Sequence, residues 1–188
     1  MSVRSFLVDY RVVISFVLFT TLILAQIYVG TKPHGWWVGG EMQGLFGASL
    51  VLIGLAIRSW AAGVLIKGRT LATSGPYSLC KHPLYLGSFS MMLGFAVLLG
   101  NPLIFAVVFG PVTIIYWLTM LSEERKLAER FDDNWKLYSQ RVPRFLPWRW
   151  ASYQHAPFSL TRWVSNREYK AMFTAILSLI ALELWRLN

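Results

Sequence analysis

The chain has 188 residues, 55% of them hydrophobic and 14% charged, with a formal net charge of +9. Soluble domains carry charge on about a quarter of their residues, so this composition argues against two soluble domains and for one membrane domain over residues 1–188. The basic residues sit at the ends of apolar runs and form no stripe, which fits the positive-inside rule and excludes a nucleic-acid partner; the single cysteine, Cys80, excludes an intrachain disulfide.

Residues 12–30 are apolar and uncharged behind Arg4 and Arg11. They are long enough for the roughly 30 Å hydrocarbon core and read as a first transmembrane helix; a signal peptide has a shorter apolar region. The loop 31–43 places Trp36 and Trp37 as an interfacial anchor, and its His34 has no second metal ligand nearby. Residues 44–66 form a second span with Arg58 inside it. A charge at that depth faces a protein interior or snorkels to an edge, and both readings stand. Lys67 and Arg69 mark the exit.

Residues 75–87 (GPYSLCKHPLYLG) are a polar, turn-rich strip between apolar runs. Gly75-Pro76 breaks what precedes it. Pro83 restricts His82 and is suited to open a helix, which puts Lys81 and His82 at a helix N-terminus with Tyr77 and Tyr85 close in sequence. The strip reads as a ligand site. Cys80 reads as a small semi-buried residue at the helix entry rather than a nucleophile.

Residues 84–100 give a third span, Gly100-Asn101-Pro102 a tight turn, and residues 103–121 a fourth span, forming a helical hairpin. In residues 122–147, Ser122 is expected to cap a new helical segment with acids in its first turn. Leu127, Phe131, Trp135 and Tyr138 fall at helical spacing and read as the packing stripe of an amphipathic helix along the bilayer. Glu123 and Glu124, where the fourth span ends, invite a cationic partner. Pro143 and Pro147 end the helix. Arg141, Arg144 and Arg149 with Trp148, Trp150 and Trp163 look interfacial, and His155 reads as a surface residue. Residues 170–187 are a fifth span, although they contain Glu183 and Arg186. With the N-terminus cytoplasmic, the basic loops 67–83 and 122–168 share the cytoplasmic face, while the opposite loops carry only Lys32. The fold expected is all-α: a multi-pass bundle of about five spans, integral to the membrane, with N-terminus and site on the cytoplasmic side.

Walker, GxGxxG, HExxH and paired CxxC signals are absent, and three scattered histidines and one cysteine offer no metal set. What remains is His82, Tyr77, Tyr85, the Glu123-Glu124 pair and Arg141 or Arg144 at one membrane face. Carboxylates suit an amino-bearing cofactor, and arginines or a helix N-terminus suit a carboxylate. S-adenosylmethionine, with an ammonium, a carboxylate and a sulfonium, is compatible with that mixture.

The strip, followed by residues 123–147 (EERKLAERFDDNWKLYSQRVPRFLP), resembles the signature of the isoprenylcysteine carboxyl methyltransferase family, which is related to the phospholipid N-methyltransferases. The resemblance covers residues 45–147 and rests on Gly75, Pro76, Tyr77, His82, Pro83, Tyr85 and Gly87, then Glu123, Glu124, Leu127, Phe131, Tyr138, Arg141, Val142 and Pro143. Three positions depart from the family pattern: Lys81 for a usual Arg, Asp132 for Gly and Trp135 for Tyr. The resemblance implies a helical membrane enzyme with a cytoplasm-facing pocket. It implies S-adenosylmethionine held around Tyr77, Lys81, His82, Tyr85, Gly87, Glu123 and Glu124, and a lipophilic acceptor arriving from the bilayer. Glu124 and Arg141 are the expected catalytic residues, with Arg58 and Arg144 as contacts to the acceptor. A carboxylate acceptor such as a prenylated cysteine needs no base; for an amine or thiol, Glu124 or His82 can take the proton. The competing readings are an NADPH-dependent reductase similar to the sterol reductases, methylation of a phospholipid amine or small thiol, and a non-enzymatic membrane protein. The segment 148–188 lies outside the signature.

Overall fold

Leu dominates the apolar runs, with Ile, Val and Ala next, and helices form from all of these runs. The computed structural model describes residues 11–37, 39–66, 70–146 and 153–188, and among these no strand occurs. Arg4, Lys67, Arg69, Pro147, Trp148, Arg149 and Trp150 lie outside the described residues. The helices are α1 (Arg11–Val29), α2 (Met42–Val64), α3 (Pro83–Leu99), α4 (Pro102–Arg141), α5 (Leu160–Ser165) and α6 (Glu168–Leu187), with a 3-10 turn at Gly75–Ser78.

Among the described residues the all-helical expectation holds, but fewer than five spans are found. Among the described residues, two helices, α2 and α4, are long and apolar enough to cross a membrane. The described apolar stretch of α1 is Thr20–Val29, and α3 has 17 residues. The last helix, α6, dilutes its apolar run with Glu168, Lys170, Glu183 and Arg186. Leu45, Phe46, Leu52, Ile53, Leu103 and Phe109 are exposed on α2 and α4, which suits helices solvated by lipid. A second correction concerns Ser122. It caps nothing: α4 runs through it, because the Glu, Arg, Lys, Leu and Ala that follow are good helix formers.

Two compact units divide the chain: Met1–Val51, Met92–Glu123 and Ser178–Asn188 form the first, Leu52–Met91 and Glu124–Leu177 the second. In the first unit, the buried Gln26 donates from Nε2 to the Leu99 carbonyl (2.7 Å), and the His34 N–H reaches the Leu98 carbonyl (2.7 Å). Trp36 is tied to α6, its backbone N–H donating to Glu183 and its indole to the Leu179 carbonyl. Glu183, which looks out of place in an apolar run, also accepts from Arg186 one turn later (2.8 Å). His34 meets Glu41 at 2.6 Å, and among the described residues no group of three His, Cys, Asp or Glu side chains is placed to hold a metal. Asn101 caps α4 by accepting from the Leu103 N–H, and a π turn at Val108–Val112 accommodates Pro111 inside that helix.

In the second unit, Gly54 and Gly87 let α2 and α3 approach. A methyl group on either would sit 2.5 Å from the other's carbonyl oxygen. The C-terminal end of α2 is sealed by residues far along the chain. Its last carbonyls need partners, and four receive them: Ala62 and Leu65 from the Asn166 amide, Gly63 from the Ser159 N–H, and Val64 from Arg162. Arg58 is bound bidentately by Glu168 at the start of α6 (2.7 and 2.9 Å) and also donates to Ser88.

Near its end α4 kinks at Asp132, whose φ of 37° and ψ of −113° are non-helical. This conformation costs an L-residue about 1–3 kcal/mol and costs glycine far less. The kink accounts for the glycine of the family pattern at this position, and Asp132 departs from that pattern at the cost of strain. Asp132→Gly is expected to raise the melting temperature by about 2–4 °C, a net gain near 1 kcal/mol after the glycine's larger unfolded-chain entropy, while Asp132→Ala gives no gain.

Candidate functional site

The site is built in the second unit from the strip, the part of α4 beyond its apolar stretch, and the segment after α4. Gly75 takes a φ of +62°, open to glycine at little cost, and starts the 3-10 turn. Tyr77, Ser78, Leu79, Cys80, His82 and Pro83 are all buried. Pro83 opens α3 as its sequence predicts, which leaves His82 just before the helix N-terminus.

His82, only 5% exposed, meets Glu124 Oε1 through Nε2 at 3.0 Å. Arg144 clamps the same carboxylate with two bonds of 2.8 Å, Nε to Oε1 and Nη2 to Oε2. An ionised carboxylate only accepts, so His82 carries its proton on Nε2. Burial works against the Glu124 charge; the hydrogen bonds from His82 and Arg144, with the charges of Arg144 and Lys81, outweigh it and hold the carboxyl at about 2. Arg144 in turn is raised by its bond to Glu124. Burial pulls Lys81 down, with Glu124 opposing and Arg144 adding to the pull. Its Nζ lies 5.8 Å from the centre of the Trp135 ring. Two departures from the family pattern, Lys81 and Trp135, thus meet in a cation–π contact. Tyr85 sets its ring edge-on to His82, with centroids 5.6 Å apart.

The strip is pinned from three sides. The buried Tyr138 hydroxyl donates to the Tyr77 carbonyl (2.7 Å), and the Lys81 N–H donates to the Pro143 carbonyl (2.9 Å). On the third side, Gly75 donates to the Gln154 carbonyl (2.6 Å) while Gln154 N–H donates to Ser78 Oγ (3.0 Å). Burial pushes the Cys80 thiol up to about 11, so it stays protonated at neutral pH.

Of the residues singled out in the sequence, the structure brings together Lys81, His82, Tyr85, Glu124 and Arg144, while Tyr77 lies in the pinned turn. Glu124 rather than Glu123 takes the bonds from His82 and Arg144. Gly87 packs on Gly54, Arg58 is engaged by Glu168, and Arg141 is exposed at the last residue of α4. Ser78, Gln154, Asn166 and Glu168 escape the sequence reading. Each acts on a partner dozens of residues away, and for Gln154 through the backbone alone.

The Glu124 bonds set an acid limit. Because its folded-state value is depressed, the pair stabilises fully above the ordinary carboxylate value of 4.5, and the contribution is lost as pH falls towards about 2. Unfolding followed between pH 7 and 3 is expected to show a plateau above pH 5 and then a loss on the order of 2 kcal/mol by pH 3. Glu124→Gln is expected to flatten that acid limb.

A family model described as phospholipid methyltransferase matches residues 42–134. A cobalt-zinc-cadmium resistance protein of Cupriavidus metallidurans is 32% identical over 148 residues, 76% of this chain and 66% of its own length. Protein-S-isoprenylcysteine O-methyltransferase B of Arabidopsis thaliana is 29% identical over 135 residues, 64% of each chain. Methanethiol S-methyltransferase 1 of Bradyrhizobium diazoefficiens is 36% identical over 73 residues, 39% of this chain and 25% of its own length. The chain spans about two thirds of the first of these relatives and a quarter of the last. No solved structure matches it.

Proposed function

The chain belongs to the phospholipid methyltransferase family, with isoprenylcysteine methyltransferases among its relatives, and from that premise we propose that it moves a methyl group from S-adenosylmethionine to a lipophilic carboxylate. One observation carries the cofactor reading: an ionised, largely buried Glu124 held by His82 and Arg144 beside Lys81. The donor set fits the amino-acid end of the cofactor. Its ammonium suits Glu124, and its carboxylate suits Arg144 or Lys81 once Arg144 exchanges partners. Tyr77 and Tyr85 complete the proposed cofactor-binding group. S-adenosylmethionine supplies an electrophilic methyl group on sulfur; this chain's residues bind, align and exclude water.

The acidity of Glu124 favours an acceptor that needs no base from it. A carboxyl held at about 2 is a poor proton acceptor at neutral pH, since an effective general base titrates near the working pH. Glu124 therefore suits binding and charge placement, and an acceptor that is already ionised suits the site better than an amine or thiol. Two relatives are named for a prenylated cysteine and a small thiol, which makes the prenylcysteine carboxyl group the first acceptor to assay. Arg141, exposed and outside the Glu124 clamp, is the candidate to orient it, while Arg58 is already neutralised by Glu168. We read the chain as a multi-pass membrane protein with this site on the cytoplasmic side, where the positive-inside rule puts its basic loops.

Calorimetric titration of the detergent-solubilised protein tests the reading. Micromolar binding of S-adenosylhomocysteine with none of NADPH is expected. Binding of NADPH alone would replace the proposal with a reductase, and binding of neither by folded protein would point to a non-enzymatic role.

A further inference from the structure

Beyond the matched residues 42–134, the segment after α4 returns to the strip and holds it. The Ser78 hydroxyl is the junction. Its oxygen accepts from the Gln154 N–H (3.0 Å) and its hydrogen goes to the Gly75 carbonyl (2.7 Å), while the Gly75 N–H donates to the Gln154 carbonyl (2.6 Å). These three bonds close a ring around one 4%-exposed side chain. Next to them Ala156 packs into a buried cluster with Ala61, Val64 and Tyr77, and Tyr153 lies against Trp60 with ring centroids 6.1 Å apart. Four residues after Ser78 comes His82, which holds Glu124.

We propose that Ser78 is a positioning residue of the cofactor site: through Gln154 it fixes the strip 75–82 in the conformation that presents Lys81 and His82 to Glu124. The proposal rests on the cofactor reading given above. Ser78 touches neither Glu124 nor Arg144, so it acts through the strip. Removing the hydroxyl leaves the buried Gly75 carbonyl and the part-buried Gln154 N–H without that partner, and the strip gains freedom that binding must then remove. The loss falls on cofactor affinity. Turnover at saturating cofactor is spared, because the bound cofactor restores the strip.

The test compares the full chain with Ser78→Ala and Asn166→Ala. The second variant loses two hydrogen bonds to the carbonyls of Ala62 and Leu65 and none to the strip, so it reports the effect of lost stability alone. Ser78→Ala is expected to weaken S-adenosylhomocysteine binding about tenfold, with kcat within about twofold and KM for the methyl donor raised in step. Hydrogen exchange across residues 75–82 should quicken in Ser78→Ala only. Faster exchange with unchanged affinity would overturn the proposal, as would an equal loss of affinity in both variants. If the unaltered chain binds no S-adenosylhomocysteine, the cofactor reading falls and this inference with it.

Discussion

Glu124→Gln is expected to weaken S-adenosylhomocysteine binding by about 100-fold or more while the protein stays folded. Glutamine keeps the length and one acceptor oxygen. It removes the charge and turns an NH2 group towards Arg144 and His82, both of which donate to Glu124 in the native site. Lys81 then also faces no counter-charge, and the cofactor's ammonium loses its partner. A charge-assisted bond is worth about 1.5–3 kcal/mol, which corresponds to roughly one to two orders of magnitude, and the repulsion adds to it. Calorimetry on the variant reads the effect directly. Affinity within threefold of the unaltered chain would show that Glu124 is a structural tie and no part of the cofactor pocket.

The largest expected effect on stability lies at Glu168. The residue is 4% exposed, and its carboxylate accepts both bonds from Arg58. Glu168→Ala strands a guanidinium inside an apolar helix, with the Ser88 hydroxyl as its remaining hydrogen-bond partner. Breaking a buried pair from one side costs about 3–5 kcal/mol, whereas replacing both partners by apolar groups costs much less. Thermal unfolding in detergent is therefore expected to show a large drop for Glu168→Ala and recovery of most of it in Arg58→Met/Glu168→Met. A double variant as unstable as the single would mean that the pair contributes through packing and not through charge compensation.

The strip was legible in the sequence because its rules are local. Gly75-Pro76 and His82-Pro83 constrain their own backbones, and the turn and the start of α3 appear where those residues dictate. The choice between Glu123 and Glu124 was not legible. It depends on the phase of α4 and on Arg144, which lies beyond the helix and a proline. Arg58 drew attention as a charge in an apolar run, and its answer, Glu168, stands 110 residues away in sequence. Gly87 sits inside a motif that suggests a ligand, yet close approach to Gly54 already accounts for it. The five-span reading took apolar length for crossing ability, and Glu168, Lys170, Glu183 and Arg186 in α6 show how polar residues engaged by other elements complicate such a count. Asp132 illustrates the opposite case: a departure noted in the sequence coincided with the one strained residue of α4.

The central claim is transfer of a methyl group to a carboxylate, and the direct measurement is a labelled-methyl assay with S-adenosylmethionine and a prenylated cysteine. A methyl ester releases its label as methanol in mild base, whereas N- and S-methyl products keep theirs. The account predicts label in the lipid fraction that base releases, and its loss in Glu124→Gln. Base-stable label would contradict the carboxylate acceptor, and no transfer to prenylcysteine, thiol or phospholipid acceptors by protein that binds S-adenosylhomocysteine would contradict the proposed reaction.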